Sequence, residues 1–307
     1  MKFLMAGAKY VFLSIIYMAL WIFGLAIGNT FFGAAVPETG GSQSGILGLM
    51  LLASALNTAV IMLMVQYSNW TGIRLVGVVA LEIYAIQFFL SQIETLWFND
   101  ALGLPMNLIY AIFIGGLIVA VLFALIVVRI MDKFKSAVPP PRADFEGLSL
   151  KKILFRIGML VILIYPLLYM TAGYFIAWQF EPLRIHYSGS AELKSFWAVL
   201  WINMENGLWL WQIARGLLWV LIAWPVQIMI RGGFPRKGII LGLLFAVLMN
   251  SQLLLPNPYM PGIIPLVHGI ETASSNFLWG MAIAWLLSPL LKMNDFKSDT
   301  DNILLTE

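Results

Sequence analysis

Long apolar runs are the feature of this sequence that most restricts its fold. Eight runs or near-runs reach about 18 residues or more, the length that a helix needs to cross a bilayer core of about 30 Å. The chain is 61% hydrophobic and 11% charged, whereas a soluble domain has about 25% charged residues. No soluble fold of 307 residues has an interior large enough for this apolar surface. The sequence therefore predicts an all-α polytopic integral membrane protein in a lipid bilayer.

We assign eight transmembrane helices. Residues 196–230 would be about 52 Å long as one straight helix, so we expect a separate short helix over residues 190–204, capped by Ser190, at the outer membrane surface. The predicted spans are Tyr10–Phe32, Ile46–Tyr67, Leu75–Phe98, Asn107–Ile130, Ile153–Phe180, Gly207–Ile230, Gly238–Leu255 and Ile263–Leu291.

The basic residues predict the orientation of these spans. Of the 18 lysines and arginines, all but Arg184, Lys194 and Arg215 fall in the two tails or in loops on one side of the bundle. The positive-inside rule places that side, and with it both termini, in the cytoplasm. The chain has no cysteine. We predict that it is a protein of a bacterial inner (plasma) membrane. No run of basic and aromatic residues indicates binding to nucleic acid.

The sequence also divides into two four-span halves. Each half starts in the cytoplasm and has a tight cytoplasmic turn between its second and third spans, so the sequence is compatible with a 4+4 parallel pseudo-repeat. Short turns and basic flanks are nevertheless expected of any four-span unit. The predicted N-terminal half, proline-rich cytoplasmic linker, C-terminal half and polar cytoplasmic tail are residues 1–132, 133–150, 151–293 and 294–307.

Polar residues inside the spans give the strongest indication of function. His268, Glu271 and Ser275 are spaced i, i+3 and i+7, so they share one face of the eighth span. A carboxylate in a lipid-spanning helix costs about 2.5–3.5 kcal/mol, which a partner, a proton or a water-filled cavity must offset. Other polar residues lie at a similar depth in the third and sixth spans. We predict one polar site, open to the extracytoplasmic side, formed by Glu94, Gln212, Arg215, His268, Glu271 and Ser275.

Two further interpretations concern the charged residues Arg215 and Glu82. Arg215 has a purely structural alternative, in which it pairs with Glu205, Glu94 or Glu271. Glu82 lies nearer the cytoplasmic side of the third span and, in an unbroken helix, faces away from Ser91. We expect Glu82 to face another crevice or a basic partner such as Arg74.

A divalent-metal site is compatible with the same residues. Two imidazoles and two carboxylates are enough ligands for Zn²⁺ or Fe²⁺. The chain contains only two histidines, which disfavours histidine-rich metal sites. The candidate metal ligands are His268, Glu271, Glu94 and His186.

Three classes of function stay open. The favoured hypothesis is a membrane protein that binds or transports a small polar or ionic solute. The second is a membrane-embedded enzyme acting on a lipid or lipid-linked substrate, with Glu271 or Glu94 as metal ligand or general base and His268 as ligand or proton shuttle. The third is a membrane scaffold or assembly factor. No Walker A motif, nucleophile elbow or dinucleotide-binding motif is present, and the sequence identifies neither the substrate nor the oligomeric state.

Overall fold

The computed structural model describes residues 2–35, 42–135 and 149–288 of the chain. Within these ranges the backbone is almost entirely helical and forms no β-strand, so the predicted all-α fold is confirmed. Most of the predicted proline-rich linker and all of the predicted tail lie outside the described residues. The division of the chain into two halves, a linker and a tail stays a prediction.

Eight long helices form the bundle, and three short ones lie at one end of it. The described helices are, in chain order, α1 (Lys2–Phe32), α2 (Gln43–Tyr67), α3 (Gly72–Trp97), α4 (Asn99–Leu102), α5 (Met106–Ile130), α6 (Leu150–Ala177), α7 (Glu181–Ser188), α8 (Phe196–Glu205), α9 (Leu208–Met229), α10 (Phe234–Leu254) and α11 (Ile264–Leu287).

Seven of the described helices are long and apolar enough to cross a membrane, namely α1, α2, α3, α5, α6, α9 and α10. This finding confirms a multi-pass membrane protein. The eighth predicted span is present as α11, a helix of 24 residues, but His268, Glu271 and Asn276 lower its hydropathy. α11 packs closely along α10, so the most polar long helix of the bundle is also one that the protein itself covers.

The short surface helix exists but begins later than predicted. α8 starts at Phe196, and its cap is Ser195, whose Oγ accepts a hydrogen bond from the backbone N–H of Ala198 at 3.4 Å. Ser190 instead accepts from the backbone N–H of Glu192 in an extended segment. The prediction of Ser190 as the cap was wrong because several serines in this segment have the right chemistry.

Hydrogen bonds between distant segments show which loops meet at one end of the bundle. Lys133 Nζ donates to the backbone oxygen of Ser68 at 2.9 Å, and Arg156 Nη1 donates to the backbone oxygen of Leu286 at 2.8 Å. We call this end the basic end, after Lys133, Arg156 and Arg231. The start of α1 and the end of α11 both lie here. The cytoplasmic location of the basic end stays a prediction from the positive-inside rule.

The two short turns of the basic end meet each other symmetrically. The backbone N–H of Asn69 donates to the oxygen of Met229 at 2.7 Å, and that of Arg231 donates to the oxygen of Tyr67 at 3.2 Å. These two bonds exchange places under a two-fold rotation, since each joins the second residue after the end of one helix to the last residue of the other helix.

The neighbours of each helix follow the same symmetry. α1 packs against α2 and α5, as α6 packs against α9 and α11, and α3 packs against α5 as α10 packs against α11. Between the halves, the contact of α2 with α10 corresponds to the contact of α9 with α3. This pattern is expected of two parallel four-helix units related by a two-fold axis along the membrane normal. It supports the predicted pseudo-repeat, which stays a prediction.

Glycines bring two helix pairs unusually close together. A Cβ placed on Gly24 of α1 would lie 2.5 Å from the backbone oxygen of Gly115 on α5. A Cβ placed on Gly280 of α11 would lie 2.6 Å from the carbonyl carbon of Leu241 on α10. Small residues at such contacts let backbones approach each other in membrane helix pairs, where packing is a main driving force. These glycines therefore fix the distance between α1 and α5 and between α10 and α11.

α3 is not a regular α-helix. It runs as an α-helix over Gly72–Glu82, as a π-helix over Ile83–Leu90 and again as an α-helix to Trp97. A π-bulge adds about one residue to a turn and so rotates the residues beyond it by about 100°. Glu82 and Ser91, about 180° apart in an unbroken helix, are then about 80° apart. The predicted separation of Glu82 from Ser91 assumed an unbroken α-helix, and the π segment between them removes that assumption.

Candidate functional site

A cavity of about 690 Å³ opens at the end of the bundle opposite the basic end. Its wall comes from the last turns of α3, α6 and α10, the first turns of α9 and α11, and the short helices α7 and α8. Its volume lies within the range of about 300–1,000 Å³ that is typical of ligand sites. Of the predicted site residues, it is lined by Glu94, His268 and Glu271.

A buried ion pair forms one part of this site. Arg215 Nη1 donates to Glu94 Oε1 at 3.0 Å, and Arg215 Nη2 donates to Glu94 Oε2 at 2.8 Å. The two side chains are 2% and 10% exposed, and Arg215 Nη1 also donates to Gln212 Oε1 at 3.1 Å. This planar, bidentate arrangement is the strong form of a charge-assisted hydrogen bond. The structural alternative for Arg215 is thus present, with Glu94 as the partner.

Glu205 does not take part in this ion pair. Its Oε1 accepts a hydrogen bond from Trp201 Nε1 at 2.6 Å, one turn earlier on α8. Glu205 is exposed and does not line the cavity. It therefore serves below as a matched control for charge removal.

The second charged pair lies on α11. His268 Nδ1 is 3.2 Å from Glu271 Oε2, and the two side chains are 23% and 5% exposed. Both residues line the cavity, so the predicted common face of α11 is turned inward, away from lipid. Thr272, the next residue on this face, hydrogen-bonds through its hydroxyl to the Asn250 side-chain oxygen on α10.

The remaining predicted residues support the site from behind. Gln212 is fully buried and holds Arg215 through its side-chain oxygen. Ser275 is buried and donates its hydroxyl to the backbone oxygen of Thr272 at 3.2 Å. Neither residue lines the cavity. Their membership of one site stays a prediction, and neither one is placed to touch a ligand in the cavity.

The four predicted metal ligands do not form one group. The ring centroids of His186 and Tyr187 are 4.9 Å apart, and those of Tyr187 and His268 are 6.5 Å apart, so Tyr187 stands next to both imidazoles. His186 does not line the cavity, and its Nε2 is buried without a hydrogen-bond partner. In the part of the chain that the structure describes, no three His, Cys, Asp or Glu side chains are grouped as a metal site requires. The predicted set of His186, His268, Glu94 and Glu271 is therefore not assembled.

An aromatic wall faces the charged residues, and sequence reasoning did not find it. Tyr169, Tyr174 and Trp178 line the cavity from α6, together with Tyr187 from α7. Burial raises the pKa of the Tyr187 hydroxyl, and the negative charges of Glu94 and Glu271 act in the same direction. The hydroxyl therefore stays protonated at neutral pH. In a regular α-helix, spacings of five and four residues put Tyr174 about 140° and Trp178 about 180° from Tyr169, so the sequence contained no signal of this wall. A π segment over Gly173–Ala177 changes their rotation.

A layer of aromatic residues closes the cavity toward the basic end. Trp219, one turn beyond Arg215 on α9, donates from its Nε1 to the Tyr165 hydroxyl at 3.0 Å. The ring centroid of Trp219 is 4.4 Å from that of Phe245, and the centroid of Tyr165 is 4.9 Å from that of Trp279. Trp219 and Trp279 are fully buried. The structure therefore has a cavity open at one end and packed shut at the other.

Charge and chemistry restrict what this cavity accepts. Its lining includes three carboxylates, Glu94, Glu192 and Glu271, but among lysines and arginines only Lys194 within the described ranges. The aromatic wall adds surfaces that attract cations through their ring faces. Comparisons with protein-family models, curated proteins and solved structures found no match for this chain.

Proposed function

We propose that this chain binds a small polar organic solute, cationic or neutral, in the cavity and moves it across the membrane. The observation that carries the proposal is a ligand-sized cavity, open at one end, whose lining includes Glu94 and the His268–Glu271 pair together with the four side chains of the aromatic wall. Polar and ionisable residues in membrane helices commonly mark the pathway of a substrate or ion.

The charge state of the wall disfavours an anionic solute. Arg215 is the strongest cation near the cavity, but its guanidinium is held by both oxygens of Glu94 and by Gln212. It therefore has little capacity to bind a carboxylate or phosphate. Among the described residues, the ion pair of Glu271 is with His268, whose charge depends on its protonation. An ammonium or hydroxyl group between Glu271 and the aromatic wall can donate a hydrogen bond to the carboxylate and contact the aromatic rings.

The helix architecture supports movement across the membrane in addition to binding. Long helices that form the cavity are irregular: α6 contains π segments at Met159–Ile164 and Gly173–Ala177, and α9 contains Pro225. The packing of the two halves follows a two-fold pattern. Rocking of one such half against the other around a fixed site is a common mode of alternating access. Under the predicted topology, the open end faces the extracytoplasmic side of a bacterial inner membrane.

A binding experiment on purified protein tests the proposal. The probes are choline, ethanolamine and glycerol, with glutarate as the anionic control, and the measurement is the heat of binding in detergent micelles. We expect at least one of the cationic or neutral probes to bind and glutarate not to bind. In Glu271→Gln, binding of choline or ethanolamine should weaken about tenfold or more, which corresponds to about 1.4 kcal/mol.

The control is Glu205→Gln, which removes the same charge from an exposed residue outside the cavity. It should bind the probes as the unmodified chain does. The binding probe, radiolabelled, should then exchange across liposomes that contain the protein. Binding of glutarate alone, or no probe binding to folded protein, would overturn the proposal and favour the scaffold hypothesis.

The His268–Glu271 pair favours one alternative function. An imidazole held by a carboxylate at 3.2 Å and open to a cavity is an arrangement that also serves general acid–base catalysis. In that alternative, the chain acts on a lipid or lipid-linked substrate that enters from the outer leaflet. Release of product from phospholipid or lipid-linked sugar in proteoliposomes, lost in His268→Gln, would favour the enzyme over the transporter.

A further inference from the structure

Glu82 is a fully buried carboxyl that has no hydrogen-bond partner among the described residues. It lies at the end of the first α-helical segment of α3, its side chain is 0% exposed, and neither carboxylate oxygen accepts a hydrogen bond. Arg74, the basic partner expected from sequence, instead stands over the Trp70 ring with its guanidinium carbon 3.5 Å from the ring centroid. The expectation of an Arg74–Glu82 pair was therefore wrong.

Among the described residues, no cation replaces Arg74 as a partner of Glu82. The helices that pack most against α3 and its π segment are α2, α5, α9 and α10; α1, whose described ionisable side chains are Lys9, Tyr10 and Tyr17, reaches the π segment through the Tyr17–Gln87 hydrogen bond. An isolated carboxylate in such an interior is strongly disfavoured, whereas the protonated acid is not. The ionisable groups on these four helices are Tyr67, Tyr110, Arg129, Arg215, Arg236 and Lys237, and those on α3 itself are Arg74, Tyr84 and Glu94.

A string of buried polar residues runs from the cavity wall along α3 toward Glu82. Ser91 lines the cavity and donates its hydroxyl to the backbone oxygen of Gln87 at 2.6 Å. The Gln87 side-chain oxygen accepts from the Tyr17 hydroxyl and from Asn57 Nδ2, the latter at 3.3 Å. All four of these residues are buried, on three different helices. Buried polar groups therefore extend from the cavity wall into the bundle, with the step from Ser91 to Gln87 made through a backbone oxygen.

The π segment places Gln87, one residue of this string, on the same face of α3 as Glu82. Gln87 follows Glu82 by five residues, and a π-helix places residues five apart in consecutive turns of one face. Gln87 Nε2 and Asn57 Oδ1 both lack hydrogen-bond partners, so a donor and an acceptor are free along the string. π-bulges in membrane and soluble helices are frequently found at functional sites, and here the bulge aligns a carboxyl with a polar path.

We propose that Glu82 is a proton-binding site, reached from the cavity through Ser91, Gln87 and Asn57. A proton from water in the cavity binds one carboxylate oxygen of Glu82 and forms the neutral acid, and its release regenerates the carboxylate. Binding of the proton is independent of the proposed transport. Its use to drive solute movement rests on the proposed function, with one proton carried per solute.

Infrared difference spectroscopy tests the proton directly. At neutral pH, the difference between the unmodified protein and Glu82→Gln should contain the carbonyl band of a protonated carboxylic acid, shifted in heavy water. Glu205→Gln, the exposed control, should give a carboxylate difference instead. Because Gln is a neutral isostere of the acid, Glu82→Gln should also change the free energy of unfolding by less than about 1 kcal/mol. Absence of the acid band overturns the proposal.

Coupling is tested in liposomes with the solute probe that binds in the cavity, choline being the first choice. A gradient of one pH unit should accumulate the probe about tenfold in the unmodified protein. Glu82→Gln should exchange the probe normally and accumulate none. Failure of the unmodified protein to exchange the probe would overturn transport and leave the infrared result standing. Exchange with undiminished accumulation in Glu82→Gln, or accumulation driven by sodium alone, would overturn proton coupling through Glu82.

Discussion

Glu94→Gln is expected to lower the free energy of unfolding by about 3–5 kcal/mol. The substitution leaves Arg215, which is 2% exposed, as a buried charge without a carboxylate. Gln retains the shape of Glu and one of its acceptors, so most of the loss comes from the missing charge. Denaturation of the purified protein in mixed micelles, followed by circular dichroism, measures the change.

The matching double substitution separates loss of charge from loss of packing. Glu94→Leu together with Arg215→Met removes both charges, and such replacements of buried pairs are often neutral or stabilising. We expect the double variant to lie closer to the unmodified protein than Glu94→Gln does. A Glu94→Gln variant within about 1 kcal/mol of the unmodified protein would show instead that cavity water screens the pair.

Gly280→Ala is expected to destabilise the bundle by about 1–3 kcal/mol, and Gly280→Leu to prevent folding. The new Cβ would lie 2.6 Å from the carbonyl carbon of Leu241 and 2.7 Å from Cα of Gly242. Both atoms belong to the backbone of α10, so no side-chain rotation relieves the overlap. α10 and α11 must separate, which disturbs the Thr272–Asn250 hydrogen bond at the cavity wall.

Gly77→Ala is the control for this substitution. Gly77 lies in the first α-helical segment of α3, and a Cβ there meets no atom within 4 Å. Ala is favoured over Gly in a helix interior by about 1 kcal/mol, so Gly77→Ala should be neutral or stabilising. Equal destabilisation by Gly77→Ala and Gly280→Ala would contradict close packing as the cause. The same denaturation experiment measures both variants.

The two charged pairs at the cavity show which contacts residue spacing can predict and which it cannot. The i, i+3 spacing of His268 and Glu271 predicted a shared face, and the two side chains do contact each other at 3.2 Å. Spacing within one helix is set by the helix itself. Arg215 had three candidate carboxylates on three other helices, and only the packing of α9 against α3 selects Glu94.

Glu82 shows where helix periodicity fails. At a constant 3.6 residues per turn, Glu82 is expected to face away from Ser91. The π segment between them changes the rotation. Nothing in the apolar composition of residues 83–90 distinguishes a π-helix from an α-helix, because both bury the same side chains. The polar path to Glu82 became visible only with this geometry and with the Gln87–Asn57 contact between α3 and α2.

The sequence by itself determined the class of the protein and the level of its polar residues. Hydropathy and the distribution of basic residues are sums over single residues, so they do not depend on how helices pack. The tertiary structure decided which charges pair, that aromatic side chains of α6 and α7 complete a cavity, and that His186 lies outside it. These properties depend on the distances and rotations between helices, which close contacts such as that of Gly280 on α11 with α10 fix.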